Sequence, residues 1–413
     1  MKKLVLALLF AFSLRADVVH VVVDGVIHPI ADEAVGRALD DAAKRNASAV
    51  ILELRTPGGL ETSMRGIVEK IIRSKVPVIV WVGPSGSRSA SAGFFILLSA
   101  DVAAMAPGTN TGAAHPVLLG EELDDVMKMK MQNDSAAFIR SIAQRRGRNV
   151  QAAESGVREA KSFTEDEALA LKLIEVIAPD VPSLLRWADG KTVKRFNGTT
   201  TTLRIAHQPV VRHQTTLRQR ILSWLMDPNV AFLLFSLGML AIYAEFSHPG
   251  AIFPGVVGGI AILLSVIALN LLPTRFAALA LIVAAFILFA LEANITSYGV
   301  LGGGGAICLV VGALLLVDGP IPELRVKLVT ALAVSVPIAL IALALTSLAA
   351  RARKQRVTTG IEAMVGEIGV ARGGGKVFVN GELWNATSTE PIDEGARVRI
   401  RAVEGLRLIV EPL

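Results

Sequence analysis

The stretch PVIVWVGPSGSRSASAGFFILLSAD, residues 77–101, decides the reading of the first half of the chain. A β-branched run ends at Gly83. A soft segment of Ser, Ala and Gly follows, then an apolar run of helical character. Five serines fall between Ser85 and Ser99. Small residues at a strand-to-helix turn serve capping and close packing. They also suit a nucleophilic hydroxyl, because a helix N-terminus offers unpaired N–H groups and positive potential. Ser91, between Ala90 and Ala92 and followed by Gly93, fits that role best. Ser85, Ser87 and Ser89 are expected in loop, and Ser99 is expected to be packed inside the helix.

Outward from this stretch the chain alternates strand and helix. VVHVVVDGVI is β-branched, ADEAVGRALDDAAKRN is amphipathic, AVILELR reads as a short buried strand, and LETSMRGIVEKIIRSK is helical. DVAAMAPG is the next strand, and a longer helix is expected from Leu123 to Gln144. SFTEDEALALKLIEVIA opens with a capping box, Thr164 with Glu167. Such alternation predicts an α/β layer with parallel strands. FNGTTTTLRI reads as a hairpin with an Asn-Gly turn.

The 413 residues are 52% hydrophobic and 19% charged, too apolar for an ordinary soluble chain. The excess sits at the two ends of the α/β region. MKKLVLALLFAFSLRA reads as a signal peptide with cleavage near Ala16. Apolar runs near 230–246, 251–272, 276–292, 296–317 and 327–350 are each about long enough to span a bilayer, with Pro and Gly blurring the count at four or five. RARKQR follows the last run. By the positive-inside rule that end is cytoplasmic, and five spans then put the α/β region outside. TLRQRILSWLMDPN precedes the first run and reads as interfacial, anchored by Trp224. The tail has short strands and Gly turns, which predicts a small barrel. The expected domains are thus a signal peptide at 1–16, an α/β domain at 17–205, a linker or interfacial segment at 206–229, a membrane domain at 230–350 and a barrel at 357–413.

The net charge of +6 fits membrane-flanking basic residues, and no basic-aromatic motif points to nucleic acid. The one cysteine, Cys308, excludes intrachain disulfides. No Cys/His cluster has metal-ligand spacing. No GxxxxGK[ST] loop and no HExxH occurs, so no cofactor is expected.

A nucleophilic serine needs a base and oxyanion donors. TPGG at 56–59 follows a strand and can present the amides of Gly58 and Gly59, since glycine reaches backbone geometry closed to other residues. His115 has no motif support as a base. Lys128 and Lys130 lie on the following helix. A buried lysine can lose its charge and act as a base, and the neighbours Met129 and Met131 suit a buried Lys130.

LRTPGGL, GSRSASAGFFILLSAD, MAPGTNTGAAHPV, KMQNDSAAFIRSIAQRRGRN and SFTEDEALALKLIEVIA occur in this order. Together they resemble the NfeD family of membrane-bound ClpP-class serine proteases. GEIGVA, GKVFVNGELWNA, GARVRI and EGLRLIVEP resemble that family's small OB-like barrel. The resemblance implies a ClpP/crotonase-like spiral of ββα units, an all-α membrane bundle and an all-β barrel. It implies Ser91, in Ala-Ser-Ala-Gly, as nucleophile. It implies Lys130, opening the K-x-x-N element Lys130–Asn133, as base, with Lys128 the lesser candidate. Gly58 and Gly59 match the oxyanion turn, and geometry adds the amide of Ala92. Self-association, a peptide or protein substrate and a stomatin- or prohibitin-like membrane partner follow from the resemblance alone. The expected setting is a bacterial or archaeal plasma membrane. A membrane scaffold without proteolysis, or a crotonase-type acyl-CoA enzyme, are the competing expectations.

Overall fold

The computed structural model describes residues 17–116, 124–247, 252–292, 295, 297, 299–319, 324–354 and 361–413. The expected signal segment, 1–16, and Leu123, the expected start of the long helix, lie outside the described residues. The chain divides into two units, one up to Leu343 and one from Ala344 to Leu413.

The first unit begins with β1 (Val18–Asp24), α1 (Pro29–Lys44), β2 (Ala49–Arg55), α2 (Glu61–Arg73), β3 (Val78–Val82), β4 (Arg88–Ala90), α3 (Ala92–Ser99), β5 (Val102–Met105) and β6 (Asn110–Gly112). There follow α4 (Asp125–Arg146), α5 (Val150–Arg158), β7 (Ser162–Thr164), α6 (Glu165–Ala170), β8 (Val176–Ile177), α7 (Val181–Ala188), β9 (Thr192–Lys194), β10 (Thr200–Thr202) and β11 (Val210–Arg212). Six strands form one parallel sheet in the order β11-β1-β2-β3-β5-β8.

Period-two alternation assigns each side chain to a face. Val50, Leu52, Leu54, Val78, Val80 and Val82 pack on one side with α1 to α5. Ala49, Ile51, Ile79 and Trp81 pack on the other with α7 and the β9–β10 hairpin. Both faces are covered, which is why β2 and β3 read as nearly continuous apolar runs. A second sheet, β4-β6-β7, stands beside the first. The expected hairpin is present, and so is the Thr164–Glu167 capping box.

One boundary moves. The linker expected from residue 206 contains β11, which pairs in parallel with β1 and carries the main sheet to Arg212. Three residues give too short an alternation to show in the sequence.

A charged cluster ties the end of α4 to the sheet. Arg146 Nη1 meets Asp101 Oδ1 at 2.6 Å, with both side chains almost wholly buried. Asp101 Oδ2 accepts from the amide of Val78, and Arg195 Nε lies 3.2 Å from Oδ1. Arg148 chelates Glu175 and donates to the carbonyls of Leu98 and Ala100.

After α8 (Leu217–Leu225) come α9 (Pro228–Ser247), α10 (Ile252–Asn270), α11 (Phe276–Glu292), α12 (Val300–Leu315) and α13 (Leu328–Lys354). These five helices occupy the five apolar runs. Among the described residues two of them, α9 and α10, are long and apolar enough to cross a membrane, with 19-residue stretches of mean hydropathy 1.7 and 2.5. The apolar stretches of the other three are shorter. On α8 an exposed stripe of Leu217, Ile221 and Trp224 repeats at helical spacing.

The helices α9–α10 and α11–α12 form two hairpins that repeat each other at one constant offset in numbering. Glu245 accepts from the amide of Gly255, and Glu292 accepts from the amide of Gly302. A Cβ on Gly258 would lie 2.7 Å from the Gly238 carbonyl, and one on Gly305 would lie 3.0 Å from the Ala285 carbonyl. Ser265 Oγ donates to the Ala231 carbonyl, and a Cβ on Gly312 would lie 3.0 Å from the Ala278 carbonyl. The offset from Glu245 to Glu292 relates every one of these pairs. The membrane domain is therefore built on a tandem repeat of one helical hairpin. In each copy a carboxylate caps the second helix, and small residues let the helices approach closely.

The second unit contains β12 (Ile368–Arg372), β13 (Lys376–Val379), β14 (Glu382–Ser388), β15 (Arg397–Glu404) and β16 (Arg407–Pro412). They close into a barrel in the order β12-β13-β14-β16-β15. Ala371, Val377, Val379, Val398, Ile400, Leu408 and Val410 fill it. Phe378 faces outward, half exposed, and Trp384 Nε1 donates to Glu382 at 3.0 Å.

Candidate active site

Ser91 stands at the N-cap of α3 with φ 51° and ψ −112°. A non-glycine residue there carries strain of about 1–3 kcal/mol, held by its surroundings. The Ser91 amide donates to Gly112 in β6, and its carbonyl accepts from Phe94, both at 3.0 Å. The Ala90 amide donates to the Thr56 carbonyl at 3.0 Å. All eight residues of α3 are buried, so the helix is fixed on every side. The Ser91 side chain makes no capping bond and is left to other work.

The turn after β2 lies against it. Gly58 has φ +121°, and a Cβ there would come 2.7 Å from the Cβ of Ser91. Glycine is required on both counts. Gly59 would place a Cβ 2.2 Å from the Ile27 carbonyl. The Ile27 amide donates to the Gly58 carbonyl, and the Leu60 amide donates to Ile27, both at 2.8 Å. A Cβ on Gly93 would meet Thr56 Cγ2 at 2.6 Å. These close approaches account for the glycines in both motifs.

Buried Thr56 divides the two turn amides. Its Oγ1 accepts from the Gly58 amide and donates to the Gly58 carbonyl, each at 3.0 Å. The Gly58 N–H is thus engaged, contrary to the expectation that it faces an oxyanion. Among the described residues the Gly59 N–H has no acceptor. The Ala92 N–H is the first of α3, one of the orphan donors of a helix start.

Ser89, expected in loop, lies in β4 and is fully buried with an unpartnered Oγ. Short strands such as β4 carry too little alternation to be read. Ser99 is packed as expected and donates to the Ile96 carbonyl.

Lys130 departs from expectation. It lies on the exposed first half of α4, and Met129 beside it is 58% exposed. The methionine neighbours do not bury it: residues 124–130 are all exposed. Lys130 lines a cavity of about 270 Å³ with Glu61, Met131 and Asp134. Glu61 opens α2, two residues after Gly59, so the cavity adjoins the glycine turn. Ser91 is not among the lining residues. Lys128 lies 3.5 Å from Asp125, a weak ion pair that ties it to its own helix turn. Asn133 Oδ1 accepts from Arg158 Nη1 at 2.9 Å, and Gln132 donates to the Arg158 carbonyl. The K-x-x-N element thereby fastens α4 to α5. His115 Nδ1 lies 3.1 Å from the Val157 carbonyl.

His28 escaped sequence reading. Its Nδ1 accepts from the Ala31 amide and caps α1, next to the Ile27 bond to the glycine turn. Burial pulls its pKa down to about 4, outweighing a backbone hydrogen bond that raises it. The signal was present in His28-Pro29 ahead of an amphipathic run, with proline at the first helical position. Among the described residues no group of His, Cys, Asp and Glu can hold a metal ion.

Residues 17–200 match the NfeD1b N-terminal domain, 229–348 the NfeD integral membrane domain, and 361–412 the NfeD-like C-terminal, partner-binding domain. Membrane-bound protease PH1510 of Pyrococcus horikoshii is 35% identical over 426 aligned residues, which cover 98% of this chain and 96% of that one. Membrane protein NfeD1b of Bacillus subtilis is 26% identical over 92% of this chain and 89% of its own. Among solved structures, a lysine-to-alanine mutant of the 1510-N membrane-bound stomatin-specific protease, in complex with a substrate peptide, is 34% identical. It has a TM-score of 0.48 and covers 51% of this chain and 97% of that one. A serine-to-alanine mutant of the same protease is 35% identical, with a TM-score of 0.46 over 49% of this chain and 99% of that one.

Proposed function

This chain belongs to the NfeD family of integral-membrane ClpP-class serine proteases, and from that premise we propose that Ser91 is its nucleophile and Lys130 its general base. The observation that carries the reading is the strained φ of Ser91 at the start of a wholly buried helix, against a glycine that admits no side chain. Neutral Lys130 takes the proton from Ser91 Oγ as that oxygen bonds to the scissile carbonyl carbon. The amides of Gly59 and Ala92 hold the oxyanion, and Gly58 gives the substrate room. The C–N bond then breaks, and protonated Lys130 returns the proton to the leaving amine. Water attacks the acyl ester by the same route and frees Ser91.

Lys130 stands exposed in a single chain. Substrate, or a second copy of the chain, closes over the first turns of α4 and removes water from the lysine. Self-association of the protease domain belongs to this reading. The substrate is an extended, apolar segment of a membrane-associated protein, which fits a protease domain joined to the membrane by the apolar stripe of α8. The C-terminal barrel, matched to a partner-binding domain, engages a stomatin- or prohibitin-like membrane protein. Five spans place the protease domain outside the cytoplasm and the barrel, after the basic end of α13, inside it.

The test uses the full chain in detergent with a library of apolar peptides from pH 6 to 10. Ser91→Ala and Lys130→Ala each abolish cleavage, and Lys128→Ala does not. Cleavage that survives Lys130→Ala but is lost in Lys128→Ala moves the base by two positions. Cleavage that survives Ser91→Ala refutes the assignment of the nucleophile.

A further inference from the structure

The cavity of Lys130 has two acidic walls, Glu61 and Asp134. A free carboxylate beside a lysine favours the ammonium form and opposes its use as a base. Neither carboxylate is free. Arg65 Nε meets Glu61 Oε1 at 2.8 Å, and Arg65 Nη2 pairs with Asp134 Oδ2. The guanidinium is itself held in place. Its Cζ lies 4.4 Å from the ring centre of Phe138, and Phe138 stacks on Phe95 with centroids 5.8 Å apart. Phe95 belongs to α3, the helix that begins at Ser91. One stack therefore runs from the nucleophile's helix to the arginine that engages both carboxylates beside the lysine.

We propose that Arg65 is a positioning residue for the reaction: it occupies Glu61 and Asp134 so that neither pairs with Lys130. The proposal rests on the reading of Lys130 as the base. The other charged groups around this part of α4 are placed elsewhere. Lys128 lies beside Asp125 one turn earlier. On α5, Arg158 pairs with Glu154 and donates to Asn133, and Arg140 also pairs with Glu154. Helix α3 carries no charged side chain. Among the described residues, Arg65 is thus the cation that bridges both cavity carboxylates.

The experiment measures kcat/KM for an apolar fluorogenic peptide with the full chain in detergent, from pH 6 to 10. Arg65→Gln removes a neighbouring positive charge and frees both carboxylates. The rising alkaline limb should move up by about 0.5–1 pH unit, a loss of roughly 3–10-fold below the limb with the plateau unchanged. Arg65→Gln combined with Glu61→Gln and Asp134→Asn should return the limb toward wild type. Glu61→Gln with Asp134→Asn, Arg65 retained, should move it down, which keeps the test open if Arg65→Gln does not fold. A limb that stays in place in all three variants overturns the proposal. So does a loss equal at every pH, which marks a merely structural arginine. If Lys130→Ala keeps the wild-type limb, the base assignment itself fails, and that outcome is distinct from either.

Discussion

Ser91 stands at the N-cap of α3, and Ala-Ser-Ala-Gly between an apolar strand and an apolar helix made it the best-fitting of the five serines between Ser85 and Ser99 in the sequence. Its positive φ was not legible, because β6 imposes it through the Gly112 carbonyl across the second sheet. Thr56 shows the same limit. A threonine before Pro-Gly-Gly is unremarkable in sequence, yet its hydroxyl fixes the turn that lies against Ser91. Thr56→Val should lower kcat by about 10- to 100-fold, less than the loss of an oxyanion donor itself, and leave KM nearly unchanged. Thr56→Ser, which keeps the hydroxyl, should restore most of it. Steady-state kinetics on an apolar peptide decide this. His28 gives a pH dependence. Its folded pKa is about 4 against 6.5 in the unfolded chain, so folding disfavours its protonation. Stability from this site is complete above pH 6.5 and is lost as the pH falls toward 4, by at most about 3 kcal/mol. His28→Asn, which keeps a cap acceptor without a titrating ring, should flatten thermal stability across that window.

Among the elements, the βα alternation was readable because the apolar period changes from two to 3.6 at each boundary. The exposure of Lys130 was not legible, because two methionines beside it say nothing of what packs over the first turns of α4. The far end of α4 is the opposite case, with Arg146 buried on Asp101. Asp101→Ala leaves two buried guanidiniums uncompensated and should cost about 3–5 kcal/mol. Chemical denaturation of the full chain, followed by a probe in the protease domain, checks this. The repeat of the membrane hairpins was hidden in sequence, since one apolar residue replaces another freely between the copies. What keeps its role is a small set: Glu245 with Glu292, and glycines such as Gly258 with Gly305. Gly258→Leu and Gly305→Leu should each force a hairpin apart and lower the detergent melting temperature by similar amounts. A large effect at one position with none at the other would show that the two hairpins are not equivalent.

In the whole molecule three kinds of folding unit follow one another, and each solves its own burial problem. The parallel sheet buries both faces under helices. The membrane helices leave large apolar side chains such as Phe253, Ile260 and Leu263 exposed for lipid. The barrel closes on itself and leaves no free edge. The order of these units was legible in composition alone, because hydropathy changes sharply near residues 230 and 350. Where the protease sheet ends was not, since β11 is so short. That strand runs on through α8 to α9, so the main parallel sheet is connected directly to the membrane helices. The short connection through α8 holds the protease domain close to the membrane helices.

The central claim is that Ser91 carries the acyl group. The direct measurement is to quench the full chain in acid during turnover of an apolar peptide ester and map the adduct by tandem mass spectrometry. The expected result is an acyl mass on Ser91, absent in Ser91→Ala. An adduct on another residue, or steady cleavage with Ser91 replaced by alanine, would contradict it.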